Sequence, residues 1–385
     1  MNAAAVVSSR DYLFVPTATE LVCLDARTGA VHWARASVVD ARLASYTLAG
    51  DVLVVADEAH RVHILDSATG ELQSRAPAEV GNLLVDAAAY EDGELIVVAD
   101  FHGQLAGLRR TGEVAWSFEA GHGLLTGMAC HGPVVCVLSS PGFVHGLNPA
   151  TGRVLWKVRL GGLADMGPFF HQGRVYTFSH DPRTRHLSVH AMFPFTGRTA
   201  WQARFEGSLA GEPDFVDDYL VLPIERHGKV SLVGIDVESA QPGESWRIEV
   251  LSAGVDHPTR VAPVEVDGVA CGIVRTDTAE ITCFGLETGE VIWRVEHERP
   301  ADLLFRNLDL VLVRDAILSV GERLQLRAID DGRLLHEFGD VMVAPEFVAV
   351  SEDMQVILGE RGAEQGDDDQ LVSFAPRHFL AIVRD

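Results

Sequence analysis

One short phrase recurs along the chain and constrains its fold more than any other feature. In LNPATGRVLW, residues 147–156, a β-rich run ends in a Thr-Gly pair, and a tryptophan follows four residues after the glycine. Eight copies occur, with glycines at Gly29, Gly70, Gly112, Gly152, Gly197, Gly243, Gly289 and Gly332. Successive glycines are 40 to 46 residues apart. That period is typical of a four-stranded unit and is much shorter than a domain.

The tryptophans follow the same register. The chain has six, and each occupies this position: Trp33, Trp116, Trp156, Trp201, Trp246 and Trp293. The offset from the glycine is four residues in five copies and three in the copy that ends at Trp246, whereas Ser74 and His336 replace tryptophan in the second and eighth copies. A flat side chain that buries about 150–250 Å² suits a wedge between neighbouring sheets. We therefore assign these glycines and tryptophans a structural role.

Short β-rich runs precede every copy. In the second copy LASYTLAG (43–50), DVLVVAD (51–57) and HRVHILD (60–66) precede the turn, and ELQSR follows it. Val, Leu, Ile and aromatic residues with Gly, Asp and Asn between the runs predict strands, and no window shows a sustained helical period. The glycine allows the positive φ of a tight hairpin between the third and fourth strands. The sequence predicts an all-β chain, an eight-bladed β-propeller of four-stranded antiparallel blades that forms one domain over residues 1–385.

The tail, residues 339–385, lacks the phrase but contains further β-rich runs: EFVAVSE, MQVILGE, QLVSFAP and RHFLAIVRD. It either closes an eight-bladed ring together with the first residues or forms a further blade. Nine units are therefore the alternative to eight.

The pattern of Leu-Asp, two residues, Thr-Gly, three residues and Trp resembles the tryptophan-docking repeat of the pyrroloquinoline-quinone (PQQ)-like β-propeller superfamily, over about residues 3–338. The resemblance implies a large propeller, usually of eight blades. Its members include quinoprotein alcohol dehydrogenases, the lipoprotein of the outer-membrane β-barrel assembly machinery, and sensor or scaffold domains. A quinoprotein dehydrogenase is expected to carry adjacent cysteines over its cofactor, whereas Cys23, Cys130, Cys136, Cys271 and Cys283 are all separated. We predict no cofactor and no catalytic residue.

Charge and hydropathy bear on the kind of partner. The 55 acidic and 31 basic residues give a net charge of -24, which repels a phosphate backbone, so we predict no nucleic-acid partner. No run approaches about 20 apolar residues, so direct membrane insertion is not expected. The first residues, MNAAAVVSSRDYLFVPTATE, lack the features of a signal peptide. We expect a cytoplasmic protein, or a periplasmic one if a leader has been removed.

Histidines are frequent in the loops between second and third strands. In a propeller these loops emerge opposite the Thr-Gly turns, on the same face as the loops that connect blades. We predict that this face binds a protein partner, through the candidate residues His60, His102, His122, His180, Asp181, Arg226, His227 and Asp277. Its histidine content would make binding sensitive to pH. The alternative is that these are ordinary polar hairpin loops.

The densest group of possible metal ligands is His171, His180, His186 and His190, within residues 170–193. A closed metal site needs converging ligands, so solvated hairpin histidines explain the group better and we predict no metal. The sequence favours a non-enzymatic scaffold for protein–protein interaction, a subunit of a larger bacterial assembly. An envelope scaffold resembling the outer-membrane assembly lipoprotein and a channel-based enzyme or small-ligand sensor are the alternatives.

Overall fold

The computed structural model is all-β wherever it describes the chain. The described residues are 7–8, 12–16, 20–25, 31–36, 43–57, 61–76, 84–90, 95–100, 102–121, 125–239, 242–249, 261–275, 280–296, 310–313, 316–320, 324–338, 347–350, 355–359 and 380–381. Within these ranges there are strands and turns and no α-helix. No helix long and apolar enough to cross a membrane is therefore found in the described ranges.

The first five antiparallel sheets have four strands each, paired in chain order. Their strands are β1 (Val7–Ser8), β2 (Tyr12–Pro16), β3 (Glu20–Asp25), β4 (Val31–Ala36); β5 (Leu43–Ala49), β6 (Val52–Asp57), β7 (Val62–Asp66), β8 (Leu72–Arg75); β9 (Leu84–Tyr90), β10 (Leu95–Asp100), β11 (Gln104–Arg109), β12 (Val114–Glu119); β13 (Leu125–His131), β14 (Val134–Ser139), β15 (Phe143–Leu147), β16 (Val154–Arg159); and β17 (Leu163–His171), β18 (Arg174–Asp181), β19 (His186–Met192), β20 (Thr199–Glu206).

The remaining strands form four further sheets. They are β21 (Ser208–Leu209), β22 (Asp214–Val216), β23 (Tyr219–Arg226), β24 (Lys229–Asp236), β25 (Trp246–Glu249); β26 (Ala262–Val266), β27 (Val269–Arg275), β28 (Glu280–Gly285), β29 (Val291–Glu296); β30 (Val311–Val313), β31 (Ala316–Val320), β32 (Leu324–Ala328), β33 (Leu334–Phe338); and β34 (Phe347–Val350), β35 (Gln355–Gly359), β36 (Leu380–Ala381). In the sixth sheet β21 and β22 both pair with β23, so the position of its first strand is filled by two segments.

These sheets confirm the strands predicted from the second copy, observed as β5 to β8. Each of the first eight sheets carries one copy of the phrase between its third and fourth strands, while the ninth has three strands and comes from the tail. EFVAVSE and MQVILGE contain β34 and β35, and QLVSFAP lies outside the described residues. The chain divides into two compact units, one of Met1–Thr184, Ser188–Gln202 and Glu364–Leu371 and one of Arg185–Leu187, Ala203–Ala363 and Val372–Asp385.

The core is divided into layers between successive sheets. In the first unit, the first strands β5, β9, β13 and β17 lie side by side. One apolar layer joins Phe14 and Trp33 of the first sheet to Leu53 and Val55 of the second. Another joins the third and fourth sheets. Since a lone four-stranded sheet cannot bury both faces, successive sheets within a unit stabilise one another.

The turn glycines have the predicted backbone conformation. φ is between +65° and +83° at Gly70, Gly112, Gly152, Gly197, Gly289 and Gly332. Thr151 shows the accompanying hydrogen bonds: its backbone N–H and hydroxyl both donate to Asn148 Oδ1, at 3.1 Å each. Gly243, in the copy with the shorter offset, is not among the residues with positive φ. Gly29 lies outside the described residues.

Each docked tryptophan contacts the turn of the following sheet. Five tryptophans are 6–9% exposed, and each indole N–H donates to a backbone carbonyl in the next copy of the phrase, at 2.6–3.1 Å. These donor–acceptor pairs are Trp33–Ser67, Trp116–Pro149, Trp156–Pro194, Trp246–Leu286 and Trp293–Ile329. The ring also covers the next turn glycine, where a Cβ would collide with it. The predicted wedge role of these five residues is confirmed.

Of the other three copies, the second and the fifth show two different departures from this arrangement. Ser74 Oγ donates to the carbonyl of Arg110 in the next phrase at 2.5 Å, and a Cβ on Gly112 would collide with the carbonyl of Arg75, so backbone replaces the ring there. Trp201 is half-buried and edge-on to Tyr176, with ring centroids 5.7 Å apart. Its indole N–H has no hydrogen-bond partner among the described residues. The sequence did not distinguish Trp201 from the other five.

Candidate interaction surface

The predicted residues that the structure describes lie on second-to-third strand hairpins, as expected. His102 lies between β10 and β11, His180 and Asp181 end β18, and Arg226 and His227 form the turn region between β23 and β24. In an antiparallel sheet these hairpins lie at the strand ends opposite the Thr-Gly turns. His60, His122 and Asp277 lie outside the described residues.

The β10–β11 hairpin holds His102 on a tight turn. Asp100 is 4% exposed, and its Oδ1 accepts the backbone N–H of Gln104 at 2.8 Å. The carbonyl of Gly103 accepts the N–H of Ala120 at 2.8 Å, which ties the turn to the end of the fourth strand. His102 itself is exposed. The hairpin therefore presents an imidazole from a backbone that is fixed on both sides.

The end of β18 contains an acid–base pair. His180 Nδ1 lies 3.7 Å from Asp165 Oδ1 on β17, with side chains 34% and 27% exposed. Burial raises the pKa of Asp165, and the nearby His180 acts in the opposite direction. Asp181 accepts the N–H groups of Arg183 and Thr184 at 2.9 and 3.4 Å, so it stabilises its own turn. Asp181 is consequently better placed to shape the loop than to reach a partner.

The β23–β24 hairpin carries a cluster of three charged or titratable groups. Arg226 Nη2 is 2.5 Å from Glu206 Oε2, and His227 Nε2 is 3.6 Å from Glu206 Oε1. His227 has φ of +54°, and the Gly228 N–H donates to Glu225 Oε1 at 2.6 Å. Exposed ion pairs contribute only about 0–1 kcal/mol to folding. The cluster is therefore free to exchange its contacts for those of a partner at small cost in stability.

Sequence reasoning missed a set of buried polar side chains on the third strands. His63, His145 and His190 each lie seven residues before the turn glycine of their copy, and they are 0–7% exposed. For His63 and His145 this is the position just before the residue opposite Ser74 or Trp156. His190 Nε2 is 2.9 Å from Ser179 Oγ. Burial lowers the pKa of His190 to about 4, so the interpretation as a solvated hairpin histidine is wrong for this residue. Burial, and secondarily Lys157, lowers the pKa of His145 to about 4. The recurrence of the position in the repeat was the signal that could have identified them.

The structure also bears on metal binding and on the reactivity of the cysteine thiols. In the described ranges, no group of three or more His, Cys, Asp or Glu side chains is arranged to hold a metal ion. All five cysteines are free thiols, and all but Cys130 are buried. Burial raises the pKa of Cys23 and of Cys283 to about 12, so both remain protonated and unreactive near neutral pH.

Repeated four-stranded antiparallel sheets, five of them docked by tryptophan on the next turn, define a PQQ-like β-propeller repeat protein, as the sequence predicted. The model of one family, the outer membrane protein assembly factor BamB, matches residues 2–119, 102–191, 141–247 and 185–364. The chain belongs to this family. No curated protein matches it.

Three solved structures resemble the chain in fold. BamB from Moraxella catarrhalis has a TM-score of 0.58 and 16% identity, covering 83% of this chain and 93% of that one. The computationally designed Ika8 protein has a TM-score of 0.55 and 12% identity, covering 83% and 94%. Sqt1 from Saccharomyces cerevisiae has a TM-score of 0.55 and 10% identity, covering 80% and 90%. At these identities the likeness concerns fold alone.

Proposed function

We propose that this protein is a non-enzymatic scaffold that binds another protein through its second-to-third strand hairpins. The observation that carries the proposal is the solvent exposure of His102, Arg226 and His227. All three side chains are exposed, on hairpins whose backbones are fixed by local hydrogen bonds. Rigid elements that expose polar groups lose little conformational freedom on binding. The partner is a protein of a larger bacterial assembly.

The blade count forms part of the same proposal. Eight sheets carry the phrase and would supply eight blades, while the three tail strands β34 to β36 would add to the closure of the ring. Nine blades remain the alternative, with β34 to β36 as the ninth. A crystal structure or a high-resolution electron-microscopy map counts the blades directly.

A second candidate is an envelope scaffold, and the family match favours it because the matching family is described as an outer membrane protein assembly factor. The two candidates differ in compartment. Fractionation of the native organism, with antibodies against this chain, separates them: recovery with the cytoplasm supports the first, and recovery with the periplasm or envelope supports the second.

The experiment for the scaffold function is affinity purification of the tagged full chain from its native organism. A partner should co-purify with the wild type and be lost from the triple variant His102→Ala/His180→Ala/His227→Ala. The matched control is His32→Ala/His131→Ala/His336→Ala, which removes three exposed histidines from other strands. Retention of the partner by the first triple variant would exclude the hairpins as its binding surface.

A further inference from the structure

Exposed apolar pairs begin the fourth strand of several sheets. Val154 and Leu155 in the fourth sheet, Val291 and Ile292 in the seventh, and Leu334 and Leu335 in the eighth are 37–46% exposed. Because the pairs recur with the repeat, their exposure is a property of the fold. Exposed apolar surface alone therefore does not mark a binding site here.

Charge distinguishes the edge of the fourth sheet from that of the seventh. Between Asn148 and Leu163 the charged residues are Arg153, Lys157 and Arg159, and between His186 and Gln202 the one charged residue apart from histidines is Arg198. All four side chains are exposed. Neither segment has an acidic residue, in a chain whose net charge is -24. None of the four cations has an ion pair with a carboxylate of the described ranges.

The seventh sheet provides the contrast at the same positions. Glu290 precedes its fourth strand and Glu296 ends it, and its Arg294 pairs with Glu280 at 3.0 Å. The following turn contains Asp330 and Asp331, with Arg333 3.5 Å from Asp331. The same apolar pair is thus set among carboxylates in the seventh sheet and among unpaired cations in the fourth.

Two phenylalanines extend the apolar part of the basic edge. Phe193 and Phe195 are 48% and 59% exposed and lie on the turn between β19 and β20. The indole of Trp156 donates to the carbonyl of Pro194, between them, at 2.7 Å. Docking of Trp156 therefore ties the turn that carries both phenylalanines to β16, the strand that carries Val154 and Leu155. We call Arg153, Val154, Leu155, Phe193, Phe195 and Arg198, with Lys157 and Arg159, the basic edge.

Two of its cations are held in place. Lys157 Nζ lies 4.4 Å and the guanidinium carbon of Arg159 5.5 Å from the centroid of the Phe143 ring. Cation–π contacts of this kind restrict long side chains without neutralising them. The basic edge consequently keeps its positive charge available to a ligand.

We propose that the basic edge is a second docking surface, and that its occupant is an acidic segment of another protein that also carries apolar side chains. The inference rests on the proposed scaffold function and adds to it the chemical character of the segment that is bound. Unpaired arginines and a lysine complement carboxylates, and the four exposed apolar side chains require apolar contacts in return. Nucleic acid is disfavoured as the occupant because the acidic remainder of the chain repels its phosphates.

The test places a photo-crosslinking phenylalanine analogue at Leu155 of the tagged full chain, in its native organism. Matched positions are Ile292, the equivalent residue of the seventh sheet, and His102 on the hairpins. We expect an adduct at Leu155 and none at Ile292, and the peptide cross-linked to Leu155 should have an excess of Asp and Glu over Lys and Arg. Its yield should fall about tenfold in Arg153→Ala/Arg198→Ala, because the loss of two charge contacts weakens association.

The control variant is Arg247→Ala/Arg333→Ala. It removes the same charge from arginines of two other fourth-strand edges that are paired with Glu244 and Asp331. This control should retain the Leu155 adduct. Three results would overturn the proposal. The Leu155 adduct could be unchanged in Arg153→Ala/Arg198→Ala, it could form equally at Ile292, or it could contain lipid, nucleic acid or a basic peptide. An adduct at His102 without one at Leu155 overturns it and leaves the scaffold function standing; adducts at neither position overturn both.

Discussion

At the residue scale, docking of Trp156 depends on the absence of side chains opposite and beneath its indole. Gly146 pairs with Trp156 across β15 and β16, and a Cβ there would collide with the indole. Gly197, beneath the same indole in the next sheet, combines positive φ with a similar collision. The turn glycine could be predicted from the sequence because its motif is local. The role of Gly146 could not, because it depends on which strand residue faces the tryptophan.

A double-mutant cycle measures this contact. Trp156→Ala should reduce the free energy of unfolding by about 3–5 kcal/mol, as for other large-to-small substitutions in a core. In the wild type, Gly197→Ala should lower the free energy of unfolding by more than about 1 kcal/mol, because the new Cβ both strains the backbone and collides with the indole. In the Trp156→Ala background only the backbone strain remains, and the loss should be about 1 kcal/mol. Gly268→Ala is the control, since Gly268 has φ of +78° and open space around its Cα. If the losses of stability in the two single variants add up to that of the double variant within about 0.5 kcal/mol, direct docking of Trp156 on Gly197 is contradicted.

The buried histidines predict a loss of stability in acid. His145 packs against Phe118 and Phe143 opposite Lys157, and His190 contacts Ser179. Their pKa values are lowered to about 4, whereas the unfolded chain binds protons near pH 6.5. Between these values the unfolded state binds more protons, so stability falls as the pH falls from about 6.5 to about 4. Melting temperatures of wild type and His145→Gln/His190→Gln across this range test it. The variant should show a shallower fall; an equal fall would exclude these two residues as its source.

At the scale of the element, a β-bulge explains the offset between glycine and tryptophan. Leu147 pairs with Val154 and Gly146 with Trp156, so Leu155 is an extra residue on β16. The same shift precedes Trp33, Ser74, Trp116, Trp293 and His336. In the sixth sheet the offset is three, and the pairs from Ser231–Glu249 to Gly234–Trp246 run without a shift. The sequence shows only a four-residue spacing between glycine and tryptophan. The pairing of the third and fourth strands is needed to identify that spacing as a bulge.

Deleting Leu155 should therefore be far more harmful than replacing it. Removal of the extra residue shortens the connection between Gly146 and Trp156, so the Thr-Gly turn and the docked indole cannot both keep their register. The sixth sheet docks Trp246 without a bulge, but over the longer connection 235–245. The deletion should cost about 3–5 kcal/mol, as loss of the docked indole does. Leu155→Ser should remain within about 0.5 kcal/mol of wild type, since the side chain is exposed. Urea denaturation compares the two; a deletion variant as stable as Leu155→Ser would exclude the bulge as the device that aims Trp156.

At the scale of the whole molecule, period and register predicted the all-β class, the repeat and the family. They did so because each repeat is a local unit whose pattern recurs along the chain. The deviations of Trp201 and the buried histidines escaped prediction, since they depend on which sheet face each side chain meets. The predicted hairpin residues that the structure describes lie at second-to-third strand hairpins, but which of them are exposed, ion-paired or engaged in their own turn needed coordinates.

The most direct test of the scaffold account is the dissociation constant of the co-purified partner, measured by titration calorimetry with the wild type and with His102→Ala/His180→Ala/His227→Ala. The account predicts at least about tenfold weaker binding by the variant, a loss of about 1.4 kcal/mol, with an unchanged melting temperature. Equal dissociation constants would contradict it.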